Sequence, residues 1–295
     1  MNSLSSKYLI YLKLLRPWQW AKNLLILAPL ILSGSLNLEK VYYSINLFLL
    51  FSLFVSGNYI LNDLSDIDLD KNHPEKKYRP IASGKIRTSL AKRMSLFLFL
   101  FPTVVTFLYY DITVLYLYFL YLGIALLYTK SLKFINFVDS IVISSLFLIR
   151  IAIGGIAANV NITIYLNIFI FLMSMFIVYL KKNSILNKQH LGNNTFHAIL
   201  KNQNEKFPFY NILISLGLST NISLLLWGIN LNKIISVNEL ITLFSFLLIF
   251  IFITYRLIQN SKNAELEDFV FGVFKDKVLL ISFILTITLF IYFYF

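Results

Sequence analysis

Four aspartates crowd into eight residues of NDLSDIDLDKNHPEKKYRP, residues 62–80. They directly follow the apolar run VYYSINLFLLFSLFVSGNYIL, residues 41–61. If that helix continues through residue 70, Asn62, Asp63, Asp66 and Asp70 share an arc of about 100°. Asp68 points to nearly the opposite side. Carboxylates crowded on one face repel one another unless a cation sits among them. Such an all-oxygen set suits Mg²⁺, which takes one or two carboxylates and completes its shell with water and phosphate. The face carries no histidine, which speaks against zinc. Next come Lys76, Lys77, Arg79, Lys85 and Arg87. Cations beside a carboxylate-held Mg²⁺ point to a phosphorylated substrate, with arginine forking onto phosphate oxygens. A solvated loop could carry the same charges; the one-face spacing at the edge of an apolar helix is what argues for a site.

The elements around this cluster are apolar almost throughout. The chain has 295 residues, of which 58% are hydrophobic, and its mean hydropathy is +0.74. Nine candidate spans, near 23–38, 41–61, 90–109, 112–129, 137–157, 161–181, 208–228, 235–257 and 277–295, approach the ~20 residues that cross a bilayer. No alternating barrel pattern is present, so the expectation is an all-α integral membrane protein of nine transmembrane helices. With the N-terminus inside, every one of the 26 Lys and Arg except Lys40, Arg150 and Lys233 falls on the cytoplasmic side. That bias predicts a multi-pass inner (plasma) membrane protein with a cytoplasmic N-terminus and an external C-terminus. The loops 62–89, 182–207 and 258–276 then all face the cytoplasm, and the active site with them. The net charge of +12 reads as topology and attraction to anionic lipid, not as nucleic-acid binding. Residues 1–22, with Lys7, Lys13, Arg16 and Lys22, read as a basic interfacial arm and not as a removed signal peptide. No cysteine is present, which excludes disulfides and thiolate metal sites. With no internal repeat and no soluble domain, residues 1–295 read as a single transmembrane catalytic domain.

The pattern NDxxDxxxD followed by RP (Asn62, Asp63, Asp66, Asp70, Arg79, Pro80) resembles the first aspartate-rich motif of the UbiA-type membrane prenyltransferase superfamily. Nine helices in a UbiA-like bundle, with the motif after the second, match that architecture. RPWQWAKN (16–23), YILNDLSDIDLDKNHPEKKYRPIASG (59–84) and YTKSLKFINFVDSIVISSLFLIRIAIGG (128–155) resemble its polyprenyl-phosphate phosphoribosyltransferase branch, which includes the decaprenyl-phosphate enzymes of actinobacterial cell-wall synthesis. The resemblance implies transfer of ribose 5-phosphate from phosphoribosyl pyrophosphate (PRPP) to a lipid phosphate, with Mg²⁺ required and pyrophosphate released. Aromatic-acceptor members usually carry a second aspartate-rich cluster. The corresponding stretch here, LKFINFVDSIV, has Asp139 as its one carboxylate and brings Lys133 within it and Lys130 just before it. The segment VYLKKNSILNK (178–188) has the expected basic pair Lys181–Lys182, but Ile185 stands where the resemblance leads one to expect an acid.

In that chemistry positive charge builds on the ribose as pyrophosphate leaves, and an already anionic lipid phosphate attacks C1 without a strong base. Asp63 and Asp66 are the expected catalytic carboxylates and, with Asp70, the expected metal ligands. Asn62, Lys77 and Arg79 are expected on substrate. Lys22 matches the motif lysine; Tyr128, Lys130 and Lys133 sit at a helix junction suited to phosphate. Asp139 and Arg150 lie within the fifth span, almost three turns apart and on one face; ionisable residues there are usually functional or paired. Asp139 is expected to meet metal, ribose or Lys133. Arg150 either touches substrate or bridges the bundle, and Gly154 and Gly155 are expected to permit close helix packing. His73, His190 and His197 receive no role. The stretch AELEDFVFGVFKDK (264–277) reads as a lid or a charged connector. Two other readings stay open: a prenyltransferase moving a prenyl group from its diphosphate to an aromatic or other acceptor, and a membrane transporter, which would place its charges at the midplane.

Overall fold

In lipid an apolar run must satisfy its own backbone, and the long apolar runs of this chain are helical. The computed structural model describes residues 3–34, 36–135, 137–190, 209–230, 237–263 and 269–294, with no strand among them. The helices are α1 (Ser3–Leu15), α2 (Ala28–Leu32), α3 (Leu38–Ser65), α4 (Ile67–Lys71), α5 (Thr88–Tyr109), α6 (Ile112–Lys130), α7 (Val138–Ala158), α8 (Ile164–His190), α9 (Phe209–Asn230), α10 (Val237–Lys262), α11 (Phe269–Lys275) and α12 (Lys277–Tyr294). Among the described residues, α3 and α5 through α10 are long and apolar enough to cross a membrane. Helix α12 adds a shorter apolar stretch, Lys277–Leu289. The chain is a multi-pass membrane protein.

Residues 23–38 do not form the single span expected of them. Pro17–Leu27 is a 3-10 helix, and the five-residue α2 follows it. Pro29 lies in the first turn of α2, and Gly34 closes the segment with a left-handed φ of 65°. The 3-10 geometry is anchored from outside. Trp20 donates to Ser56 Oγ (3.0 Å), Ser56 donates to the Leu15 carbonyl (2.8 Å), and Asn23 donates to Ser52 Oγ (3.1 Å).

The chain divides into two units, 1–132 with 149–161, and 133–148 with 162–295. In the first, α3 is the central helix. It packs on α5, α6, α1 and the 3-10 segment. Phe51 and Phe54 meet Tyr118 at ring centroids of 5.2 and 4.9 Å. Ser95 of α5 donates to the Gly57 carbonyl (2.9 Å), and a Cβ on Gly57 would stand 3.2 Å from the Phe99 ring. The missing side chain lets α5 approach. At the motif end, Leu14, Ile60, Ile81, Ile86, Ala91 and Leu98 form a buried cluster. So the region 62–89, expected as a loop, is largely ordered: α4, a 3-10 turn at Lys76–Tyr78 and a buried strip at Ile81 and Ile86 follow one another.

The second half of α7 belongs to this first unit. An ideal Cβ on Gly154 would lie 2.1 Å from the Ile26 carbonyl oxygen, so only glycine admits the 3-10 segment here. In the second unit Phe176, Tyr179 and Leu180 of α8 pack with Leu213 of α9 and with Ile253 and Leu257 of α10. Helix α8 runs through Lys181 and Lys182 to His190, well past the expected end at 181. The remainder of the 182–207 loop, including His197, and residues 264–268 of the acidic stretch lie outside the described residues.

Candidate functional site

Helix α3 does not continue through residue 70. It ends at Ser65, and Asp66 takes φ −101° and ψ 13°. Ser65 Oγ donates to the Asn62 carbonyl (2.8 Å), which also keeps its helix bond from the Asp66 amide (3.0 Å). The three-carboxylate face is therefore split. Asp63 and Asp70 are buried, each 3% exposed, while Asp66 is half-buried and accepts from Ser65 Oγ. Asp68 is exposed beside Lys71, as its spacing indicated.

Two arginines close over the buried pair. Arg79 Nη1 donates to Asp63 Oδ1 (3.1 Å) and to Asp70 Oδ2 (2.6 Å). Arg16 Nη2 donates to the same Asp63 oxygen. Two carboxylates and two guanidiniums balance in charge, which is how ionised groups are tolerated out of water. The local backbone delivers each partner. Arg79 follows the Lys76–Tyr78 turn, over the buried strip at Ile81. Arg16 precedes the 3-10 segment with a left-handed φ of 54°, uncommon for a side chain with a Cβ. Such strain concentrates at functional sites. Beside the pair lies a cavity of about 440 Å³ lined by Lys13, Arg16, Trp18, Gln19, Glu75, Tyr78, Arg79 and Pro80.

The other expected residues of this unit are dispersed around that centre. Asn62 Oδ1 accepts from Thr129 (3.2 Å), which ties the motif to the end of α6 between half-buried Tyr128 and exposed Lys130. Lys22 is exposed on the 3-10 segment; Lys77 is exposed, with its ammonium 5.2 Å from the Tyr78 ring centroid. Arg150 is 3% exposed and sits in the core of the unit. Its Nε donates to Asn23 Oδ1 (2.9 Å), its Nη2 donates to Tyr121 Oη (3.0 Å), and its guanidinium lies 5.0 Å from the Tyr121 ring centroid. Of its two readings, the bridge within the bundle is the one these contacts describe.

In the second unit Asp139 is 7% exposed and bonded by Lys182 Nζ at 2.6 Å. Ser140 Oγ also donates to Asp139 (3.1 Å), and Lys182 lies 5.2 Å from the Tyr179 ring centroid. Lys133 had been the lysine expected near Asp139; it is half-buried on the 3-10 turn Leu132–Phe134, and Lys181 is exposed. Ile185, at the position where an acid was expected, is buried. At the end of the 264–277 stretch Asp276 caps α12, accepting from Arg256 Nε and Asn260 Nδ2, each at 2.8 Å. Burial works against its charge, but these bonds, the Leu279 amide and the Arg256 cation together bring its carboxyl down to about 2.

Residues 25–275 match the family model described as the UbiA prenyltransferase family. The chain belongs to the UbiA prenyltransferase family. The decaprenyl-phosphate phosphoribosyltransferase of Mycobacterium tuberculosis is 33% identical over 194 residues, covering 64% of this chain and 63% of that protein. The match thus spans somewhat under two-thirds of that relative's length. A structure of a digeranylgeranylglyceryl phosphate synthase superposes with a TM-score of 0.66 at 20% identity, covering 97% of this chain and 98% of that one. A UbiA homolog from Archaeoglobus fulgidus, solved with dimethylallyl pyrophosphate (DMAPP) and Mg²⁺, superposes with a TM-score of 0.63 at 15% identity, covering 84% and 85%. Both share the fold.

The Asp63–Asp70 pair offers only carboxylate oxygens, a donor set whose chemistry fits Mg²⁺. Among the described residues no closed group of three or more His, Cys, Asp or Glu is assembled. Mg²⁺ needs none, since it keeps several waters and takes phosphate oxygens.

Proposed function

We propose that this protein transfers a 5-phosphoribosyl group from PRPP to a polyprenyl phosphate of the decaprenyl type and releases pyrophosphate. The observation that carries this reading is the state of LKFINFVDSIV, the stretch that corresponds to the second aspartate-rich cluster. Its one carboxylate, Asp139, is neutralised by Lys182. The acidic pair of the first region lies beside a cavity lined by Lys13, Arg16 and Arg79. A single carboxylate pair with surplus cations suits a donor that has one pyrophosphate for a metal and one separate phosphate for cations to grip. The named activity of the mycobacterial relative supports the same reading.

Asp63 and Asp70, with Asp66 at the bend between them, would hold Mg²⁺. Bound there, the ion supplies Lewis-acid stabilisation of the departing pyrophosphate. The bond from ribose C1 to the pyrophosphate oxygen breaks with its electron pair on the leaving group. A lipid phosphate oxygen forms the new bond to C1. Asn62, Lys77 and Arg79 orient the donor. Lys22, Tyr128 and Lys130 of the same unit stand as further substrate contacts, and the two lysines screen the repulsion between two anionic reactants. Nine crossings, the first made by the 3-10 segment with α2 and not by one continuous helix, a cytoplasmic N-terminus and site, and an external C-terminus in the inner membrane complete the reading, supported by the one-sided lysines and arginines.

The test incubates purified protein with Mg²⁺, PRPP labelled in the ribose, and either a polyprenyl phosphate or a prenyl diphosphate with an aromatic acid. Ribose label extractable with the lipid phosphate is the expected result. Product from the prenyl diphosphate alone would replace this reading with prenyl transfer.

A further inference from the structure

Arg16 and Arg79 each serve two neighbours. Both bond Asp63, and both line the 440 Å³ cavity together with Lys13. The side chains of Asp63 and Asp70 are 3% and 4% exposed, against 17% and 28% for Arg16 and Arg79. The arginines thus stand between the carboxylates and the open space. Exposed Trp18 and Tyr78 line the same space, side chains of the kind that settle at a bilayer interface.

We infer that this cavity is a phosphate site and that Arg16 is a phosphate ligand held in reserve on Asp63. A phosphate entering the cavity competes for both guanidiniums, whose forked donors match its oxygens better than a single carboxylate oxygen does. Once drawn off, they leave two buried carboxylates uncompensated, a state that cannot persist without a replacement cation. A hydrated divalent ion takes that place. Phosphate and metal therefore bind cooperatively, and each favours the other equally. The exchange moves the guanidinium and not the backbone: Trp20 and Ser56 fix the chain on either side of the left-handed Arg16. The sequence placed Lys13 and Arg16 in a basic interfacial arm and Arg16 and Trp18 in RPWQWAKN, but gave none of them, nor Tyr78, a role at the site. The inference rests on the metal role proposed for Asp63 and Asp70, but not on ribosyl transfer. The phosphate can belong to a soluble monoester or to a lipid headgroup.

The experiment measures Mn²⁺ binding to the purified full-length protein in phosphatidylcholine nanodiscs, from loss of the free-ion electron paramagnetic resonance signal. Three arms are compared: no addition, ribose 5-phosphate, and nanodiscs doped with a polyprenyl phosphate. Affinity for Mn²⁺ is expected to rise about tenfold in at least one phosphate arm, within the usual 5–150-fold range of such couplings. The responding arm identifies the source as soluble or lipid. Arg16→Gln is expected to bind Mn²⁺ more tightly than wild type without phosphate and to lose the response, which also subtracts any direct complex between Mn²⁺ and phosphate. Should that variant misfold, Arg16→Lys, which keeps the charge without the fork, is expected to show a weakened response. Mn²⁺ binding that ignores phosphate in every arm, alike in wild type and variant, overturns the inference alone. Failure of Mn²⁺ to bind in any arm overturns the metal role beneath it as well.

Discussion

Two glycine-to-alanine changes in the first unit should shift stability in opposite directions. At Gly154 an added Cβ meets the Ile26 carbonyl oxygen at 2.1 Å, against 3.4 Å where ordinary contact begins. Helix α7 and the 3-10 segment must part by about 1.3 Å. That shift would stretch the 2.9 Å bond from Arg150 to Asn23 beyond useful length. Overpacking costs roughly 1–3 kcal/mol. A lost hydrogen bond to a charged group adds about 1.5–3 kcal/mol. At Gly123 the added Cβ has nothing within 4 Å. Alanine there gains up to about 1 kcal/mol of helix propensity. The assay is thermal unfolding in detergent, followed by intrinsic fluorescence. Trp18 and Trp20 report from the 3-10 segment itself. Gly154→Ala should melt roughly ten degrees lower and Gly123→Ala slightly higher, at a few degrees per kcal/mol. A Gly154→Ala protein that melts with wild type would refute the packing of α7 on the segment that carries Arg16.

Lys182→Met should lower the melting temperature sharply, because it strands Asp139 in a buried position at a cost of about 3–5 kcal/mol; adding Asp139→Asn should recover most of the loss. Asp276, held at about 2 against an ordinary 3.8, binds its proton less readily folded than unfolded. Its contribution is therefore complete above about pH 4 and vanishes as pH falls through about 2, so melting curves of wild type and Asp276→Asn should differ at pH 5 and converge near pH 2. Asp66→Asn should abolish lipid labelling while leaving the melting temperature near that of wild type, since Asp66 is half-buried at a bend and outside the arginine-bridged pair; unchanged turnover would remove it from the site.

The transmembrane helices were legible because an uninterrupted apolar run has few alternatives in lipid, and the expected spans from 41–61 to 235–257 correspond to α3 and α5 through α10. Segment 23–38 was not, because Trp20, Asn23 and Gly154 impose the 3-10 geometry through contacts far off in the chain. Asp63 and Asp70 stood out through a separation of two helical turns, and that pairing survives the bend at Asp66. The bend itself is a backbone departure at Asp66, φ −101° and ψ 13°, which periodicity does not encode. Arg16 counted as one charge in a basic arm and as the head of RPWQWAKN, with no role at the site. Its partner is 47 residues away and its backbone is left-handed; the proline that follows it was the one local sign of an unusual turn. Lys182 was identified as a cation, but that it would neutralise Asp139 follows from packing within the second unit, 43 residues apart.

The central claim is that the buried carboxylates at the end of α3 carry the metal that receives pyrophosphate. Anomalous diffraction from crystals soaked with Mn²⁺ and PRPP tests it most directly. The account predicts a peak bridged by Asp63 and Asp70, with pyrophosphate oxygens completing its shell and Arg16 turned towards a phosphate. A peak elsewhere, with both arginines still on the aspartates and the donor bound apart from them, would contradict it.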